Sequence, residues 1–545
     1  MTPEPDSPRL TLGRFLEDVV ARHGERPAIR FGGRSFAYAD VERESRRLAR
    51  GLVGAGVVKG ARVALYMANR PEWVFAAFAV ARAGGVLVPV NTFAAPAERD
   101  YILRHSDASL LLLQPALLGH RFLEEIRADH PELASGEPGR LRCAALPQLR
   151  RVACLGDGSW DALLGLGGDV PDALLDAAGA EVEPSDDAMI IYTSGTTAHP
   201  KGVLHAQRAP VLQSWRFAEL LRLDCEDRVW TSYPLFWTAG IAMSLGATFA
   251  AGGCLLLQEH FEPGEALAMI EKERATAVHA WPHQHKAMGE HPSLGGRDLS
   301  ALRKIEVSSP LAARAGVRDD AYGAGASYGL SETFTIASMI PVDAPAERRR
   351  ATSGRPLPGM RIRIVEPRSG APLPPGEEGE IAVKGATFMR GYYKVLPERY
   401  LDEDGFFHTQ DGGSLDEQGY LHWSGRISNL IKTGGANVSP LEIEQALSGF
   451  EELRLALPVG VPHPTLGEAV VLCAVAADGA DTDEARVRSF LRGRLAAYKV
   501  PRRVLFFRAD ELSYTGNQKI QVGPLREAAL ARLAAERAEI DGHRY

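Results

Sequence analysis

The chain has 545 residues, too many for one hydrophobic core, so at least two domains are expected. A formal charge of −7 without a basic cluster argues against nucleic acid as a main partner, and 45% hydrophobic with 24% charged residues is the balance of a soluble protein. The N-terminus has no apolar core of signal-peptide type, no apolar run reaches spanning length, and Cys143, Cys154, Cys225, Cys254 and Cys473 are scattered without a CxxC, which points to reduced core cysteines and a cytoplasmic location.

In chain order, residues 43–53 and 72–83 have helical spacing, while 62–66 and 86–90 read as strands. This alternation predicts a parallel α/β sheet. Residues 130–184 are rich in Gly, Pro, Ala and Leu and show little periodicity, so no elements are assigned there and they are read as a variable excursion. Residues 189–192 form an apolar run that predicts a short buried strand. After residue 423 the texture changes. Strands are expected at 430–431, 455–461 and 469–475, with helices at 441–447 and 485–495 between them. A terminal helix is expected at 524–540, with Leu525, Leu530 and Leu533 on its apolar face. This stretch is long enough for a compact α+β domain.

The strand at 189–192 empties into Thr193, Ser194, Gly195, Thr196 and Thr197, and then Lys201. Hydroxyls, a glycine that frees backbone N–H groups, and one cation are what a polyphosphate needs. The GxxxxGK[ST] spacing is absent, which excludes a Walker loop. A plain Ser/Thr-rich hairpin turn is the competing reading. Lysine usage weighs against it: only ten of the 62 Lys plus Arg are lysine, and Lys201, Lys432, Lys499 and Lys519 are among them. A compact point charge is thus kept where arginine is otherwise preferred. His279, His283 and His285 fit no strong metal spacing, and Pro282 falls between them.

Eight ordered blocks then carry a resemblance over nearly the whole chain. They are residues 62–91, the loop above, Pro234-Leu235-Phe236-Trp237-Thr238-Ala239-Gly240, Tyr328-Gly329-Leu330-Ser331-Glu332, Gly354-Arg355-Pro356, Thr409-Gln410-Asp411-Gly412, Gly425-Arg426 through Glu444, and Thr515 through Lys519. Together they resemble the adenylate-forming superfamily, in its acyl-CoA synthetase or fatty-acid–CoA ligase branch. The resemblance implies a large N-terminal AMP-binding domain (1–427) of two doubly wound sheets plus a small distorted β-barrel. A small mobile α+β lid domain (428–545) would follow, with the hinge at Ser428.

The resemblance also implies the chemistry. A carboxylic acid and ATP give an acyl-adenylate, whose acyl group passes to coenzyme A. Lys519 would meet the carboxylate and α-phosphate, Glu332 would hold Mg2+, and Ser331 would stand for the family's threonine. Thr193 to Thr197 with Lys201 would take the phosphates, Tyr328 would stack on adenine, and Asp411 and Arg426 would take the ribose. After rotation of the lid, Gly434 and Gly435 would admit the pantetheine arm, where a β-carbon would obstruct it. Phe236, Trp237, Ser327 and Gly329 would line the acyl pocket. In acetate-specific relatives a tryptophan takes the place of Gly329, so glycine here predicts a medium-to-large hydrophobic acid.

Several positions depart from the family pattern: Ala198, Gln410 and Gln518 for glycines, Trp237 for a common histidine, and Ser308-Ser309-Pro310 for a glycine pair. They cluster at groups that handle ATP. The resemblance therefore leaves open a ligase with weak adenylation that uses a preformed acyl-adenylate, and one that loads a carrier protein instead of CoA. It names neither the acid nor the oligomeric state.

Overall fold

The computed structural model describes residues 3–193, 200–323, 326–427, 431–433, 436–492, 494–495, 497–514 and 520–545. Packing divides the chain into two compact units, 1–362 with 383–407 and 363–382 with 408–545. These are packing units. A hinge is a separate property, and its expected position, Ser428, lies outside the described residues.

The first unit is built on two mostly parallel sheets. The larger has seven strands, ordered Gly391–Tyr392, Lys201–Ala206, Asp187–Thr193, Val86–Pro89, Arg62–Tyr66, Leu110–Leu113 and Arg151–Cys154. The last five run parallel, and their apolar runs are buried because helices cover parallel sheets. Lys201–Ala206 pairs antiparallel with both of its neighbours. The smaller sheet has five strands, ordered Ala277–His279, Arg228–Thr231, Cys254–Leu257, Pro27–Phe31 and Arg34–Ala37, and only the terminal hairpin is antiparallel. The predicted helices appear as Tyr38–Gly54 and Pro71–Arg82, the latter entered through a proline at its first turn. A three-stranded sheet, Ser327–Tyr328 with Ser338–Met339 and Arg355–Pro356, completes this unit.

Residues 130–184, where the sequence assigned no elements, are structured. This stretch supplies the edge strand Arg151–Cys154 and the helices Ser159–Gly165 and Asp172–Ala180. Its apolar residues, among them Leu141, Leu146, Leu149 and Cys154, are buried in the core of the large sheet. The elements are short, so few turns existed in which a period could show.

A four-stranded sheet of Met360–Val365, Gly379–Gly385, Phe407–Leu415 and Leu421–Arg426 has most of its residues in the second unit. A second sheet is ordered Ala436–Val438, Ile431–Thr433, Gly467–Ala476 and Leu453–His463, with Arg503–Phe506 beside Gly467–Ala476. Strand Gly467–Ala476 is buried on both faces. Val471 and Cys473 meet Leu525 and Leu533 on one side, while Val470 and Leu472 meet Ile443, Val487 and Leu491 on the other. The terminal helix is Val522–Ala535. It ends before the expected 540, and Glu539–Ile540 forms a short strand instead. Its buried line is Leu525, Ala529 and Leu533, with Leu530 only partly buried. All five cysteines are unpaired thiols, four of them buried. Among the described residues no helix is long and apolar enough to cross a membrane.

Candidate active site

In the first unit the Ser/Thr-rich segment is flanked by two antiparallel strands, Asp187–Thr193 and Lys201–Ala206. Thr193 and Lys201 are register partners at the ends of antiparallel strands, and Ser194, Gly195, Thr196 and Thr197 between them lie outside the described residues. Lys201 is exposed, and its Nζ lies 4.9 Å from the centre of the Tyr392 ring. Tyr392 is buried, pairs with Val203 on the next strand, and donates its hydroxyl to Glu332 Oε1 at 2.5 Å.

Glu332 sits in the 3-10 turn Ser331–Thr333, directly after strand Ser327–Tyr328. Tyr328 is buried, whereas Ser327, its neighbour on the strand, is exposed, as alternation requires. The turn is held from beneath. His205 Nε2 donates to the Ser331 carbonyl at 2.8 Å, and the Met389 N–H donates to the Glu332 carbonyl at 2.7 Å. The buried Gln213 amide nitrogen is within 3.0, 3.1 and 2.6 Å of the carbonyls of Thr333, Phe334 and Ile336. These contacts hold a backbone that two adjacent non-glycine residues take left-handed, Phe334 at φ +49° and Thr335 at φ +90°. Full burial pushes His205 down to about 3, so the imidazole is neutral and donates through Nε2 alone.

The expected acyl residues form an aromatic row. Phe236 is buried, with its ring 5.4 Å from Trp237 and 5.7 Å from the exposed Phe93. Gly329 faces backbone. A Cβ there would overlap the Thr335 carbonyl oxygen and the Ile336 Cα. Its hydrogen thus serves the turn, and this contact gives no separate support to a wide acyl cavity. His279 bonds Ser244 and His285 bonds Ser309, and among the described residues no group of three or more His, Cys, Asp or Glu could hold a metal. Ser308-Ser309-Pro310 is spent on local structure: Ser309 also accepts from the Leu311 N–H.

In the second unit Asp411 and Arg426 are register partners across an antiparallel pair. Arg426 Nε reaches Asp411 Oδ1 at 2.9 Å, and its Nη1 donates to the Thr409 carbonyl at 2.8 Å. Asp411 is buried, and its N–H donates to Thr409 Oγ1. Gln410, at a glycine position of the family, takes φ +61° and donates its N–H to Glu380. Lys499 is spent on Glu442, 2.5 Å away. Gly434, Gly435, Ser428 and Lys519 lie outside the described residues.

His205, Gln213 and Tyr392 escaped the reading of the sequence. His205 stands four residues after Lys201 on strand Lys201–Ala206, whose sequence does not alternate and so gave no local signal. Gln213 lies inside the helix Arg208–Leu220, and Tyr392 enters from nearly two hundred residues downstream.

The family model for the AMP-binding enzyme matches residues 16–393, and that for the AMP-binding enzyme C-terminal domain matches 442–519. The chain is similar to a feruloyl-CoA synthase of Amycolatopsis, at 34% identity over 92% of this chain and 95% of that one. It is also similar to an indoleacetate–CoA ligase of Aromatoleum aromaticum, at 32% over 95% and 98%. The solved structure of ATP-bound MatB from Rhodopseudomonas palustris aligns with a TM-score of 0.77 at 28% identity, covering 95% of this chain and 98% of that one. A large α/β domain carrying a hydroxyl-rich hairpin, a small C-terminal domain, and full-length likeness to acid–CoA ligases together identify the chain as a member of the AMP-binding, adenylate-forming family and as an AMP-forming acid–CoA ligase family enzyme.

Proposed function

We propose that the protein activates a medium-to-large hydrophobic carboxylic acid with ATP and transfers the acyl group to coenzyme A. The observation that carries this reading is that Tyr392 joins Lys201 to a tethered carboxylate, with Lys201 over its ring and Glu332 on its hydroxyl. In the first step a carboxylate oxygen bonds the α-phosphorus and pyrophosphate leaves. In the second the CoA sulfur bonds the acyl carbon and AMP leaves. Lys201 and the loop hydroxyls would hold the phosphates, and Lys519 would steady the carboxylate and α-phosphate as charge builds there. Asp411 and Arg426 would hold the ribose, with Tyr328 against adenine. Ser428 would serve as hinge, and Gly434 and Gly435 would clear the pantetheine path.

The donor set fits magnesium. A hard cation carried by a nucleotide needs only one or two protein oxygens, and Glu332, with the Ser331 hydroxyl beside it, is such a pair. When bound, it neutralises phosphate charge and orients the leaving pyrophosphate. ATP and CoA as partners draw support from the ATP-bound relative and the CoA ligases. The aromatic row of Phe93, Phe236 and Trp237 favours an apolar acid, in keeping with the ring-bearing acids named for two relatives.

Weak adenylation is the less favoured reading. Gln410 keeps the left-handed backbone that glycine would adopt, so this departure leaves the strand's course beside Asp411 intact. Pyrophosphate–ATP exchange across a panel of acids separates the readings. Exchange at the turnover rate supports the two-step ligase, and thioester made only from supplied adenylate overturns it. Transfer to a carrier protein in place of CoA is read separately, by offering each thiol acceptor to the enzyme with acid and ATP and measuring thioester. Lys519→Ala should lower exchange by about 10²–10³-fold while sparing thioester formation from preformed adenylate.

A further inference from the structure

We infer that Tyr392 is a positioning residue that locks the Glu332 carboxylate for a divalent cation while its ring seats Lys201. This rests on the proposed ATP-dependent function and goes beyond it by adding a residue to which neither the family motifs nor the composition points. Three observations converge. The hydroxyl donates to Glu332 Oε1 at 2.5 Å, a short bond of the kind made to a charged acceptor. The face of the same ring lies 4.9 Å from Lys201 Nζ, within cation–π range.

The third observation is that the backbone on both sides of Tyr392 is tied down. Gly391 pairs with Leu204, the Tyr393 N–H donates to the Gly202 carbonyl at 2.7 Å, and the Met389 N–H donates to the Glu332 carbonyl. The tyrosine therefore cannot drift relative to either the hairpin or the turn. Its neighbour Tyr393 anchors the strand, donating to Asp107 at 2.8 Å.

The physical argument concerns rotamers. A glutamate on a three-residue turn has three free torsions, and a cation that takes a single protein carboxylate needs that group pre-aimed. The tyrosine hydroxyl occupies one lone-pair direction of Oε1. It thereby fixes the carboxylate plane and leaves Oε2 to face a ligand. Among the described residues no side chain hydrogen-bonds Oε2. Partners that orient a metal's ligands typically govern affinity by 10–100-fold.

The test uses the full chain and binding rather than turnover. ATP binding is measured by calorimetry without divalent cation, and Mn2+ binding in the presence of ATP by paramagnetic resonance, for the wild type, Tyr392→Phe and Tyr392→Leu. Tyr392→Phe should weaken Mn2+ about tenfold and change metal-free ATP affinity by no more than about twofold. Tyr392→Leu should show the same metal loss and also weaken metal-free ATP by about two- to fivefold, because the ring under Lys201 is gone. Equal Mn2+ affinity in the wild type and Tyr392→Phe overturns the positioning role and leaves the ATP reading standing. Equal loss in both arms for Tyr392→Phe, with a lowered melting temperature, also overturns it, because a merely structural tyrosine behaves that way. A wild type that binds no ATP in either arm overturns the functional reading and this inference with it.

Discussion

Arg426 stands directly opposite Asp411 in an antiparallel strand pair and closes on its carboxylate at 2.9 Å. The two residues assigned to one sugar are therefore partners before any ligand arrives. The guanidinium is half exposed while the carboxylate is buried, so the arginine can swing toward solvent and the aspartate cannot. Arg426→Gln should remove this ion pair, lower stability by about 1–3 kcal/mol, and raise the KM for ATP. Arg426→Lys should recover only part of this, since one ammonium cannot reproduce the forked contacts to Asp411 and the Thr409 carbonyl. Denaturant unfolding and ATP-dependent exchange measure the two effects, and a fully active Arg426→Lys would refute the forked role.

Gln410 occupies a left-handed conformation at φ +61°. A non-glycine residue there costs on the order of 1 kcal/mol, which glycine avoids at some loss of unfolded-state entropy. Gln410→Gly should therefore be neutral to stabilising, by up to about 1 kcal/mol, and Gln410→Val should be clearly destabilising. Thermal melts of the two variants decide it. A stable Gln410→Val would show that the backbone there relaxes freely.

Gly329 is predicted to act through the turn rather than through substrate size. Because its Cβ position is filled by Thr335 and Ile336 backbone, even Gly329→Ala should displace the turn bearing Glu332, at a cost of about 1–3 kcal/mol. Adenylation rates for short and long acids should then fall together. A selective loss of long acids in Gly329→Ala would favour the pocket-size interpretation instead.

Two buried histidines set an acid limit. Burial lowers His205 to about 3 and His279 to about 4, below the ordinary value of 6.5. Between pH 6.5 and about 4 the unfolded chain binds these protons and the folded chain does not, so stability falls as pH falls. The slope is up to about 1.4 kcal/mol per pH unit for each group. Above pH 6.5 neither contributes. His279→Asn should flatten the slope of unfolding free energy between pH 6.5 and 4. An unchanged slope would assign acid sensitivity to other groups.

The sequence by itself determined a great deal. Eight ordered blocks specify the family, because loops that grip phosphate, ribose and a carboxylate demand particular residue types at fixed local spacings. Strands such as Arg62–Tyr66 were legible as short apolar runs of the kind a sheet covered on both faces buries, and Pro71–Arg82 as an apolar segment too long for a strand, opened by a proline. The elements of 130–184 were not, since a strand of four residues and helices of seven and nine are too short to display a clear period.

What only the tertiary structure decided is how distant segments meet. Nothing near Tyr392 in the sequence indicates Glu332, sixty residues before it, or Lys201, nearly two hundred before it. Strand pairing brings them together. Gln213 looks like an ordinary helical glutamine until its helix lies under three carbonyls of the Thr333–Ile336 turn. The same holds for Gly329, whose need for a hydrogen comes from backbone folding back across it. Local motifs record what a ligand requires of a loop. The groups that hold those loops in place act through space, and chain order carries no trace of them.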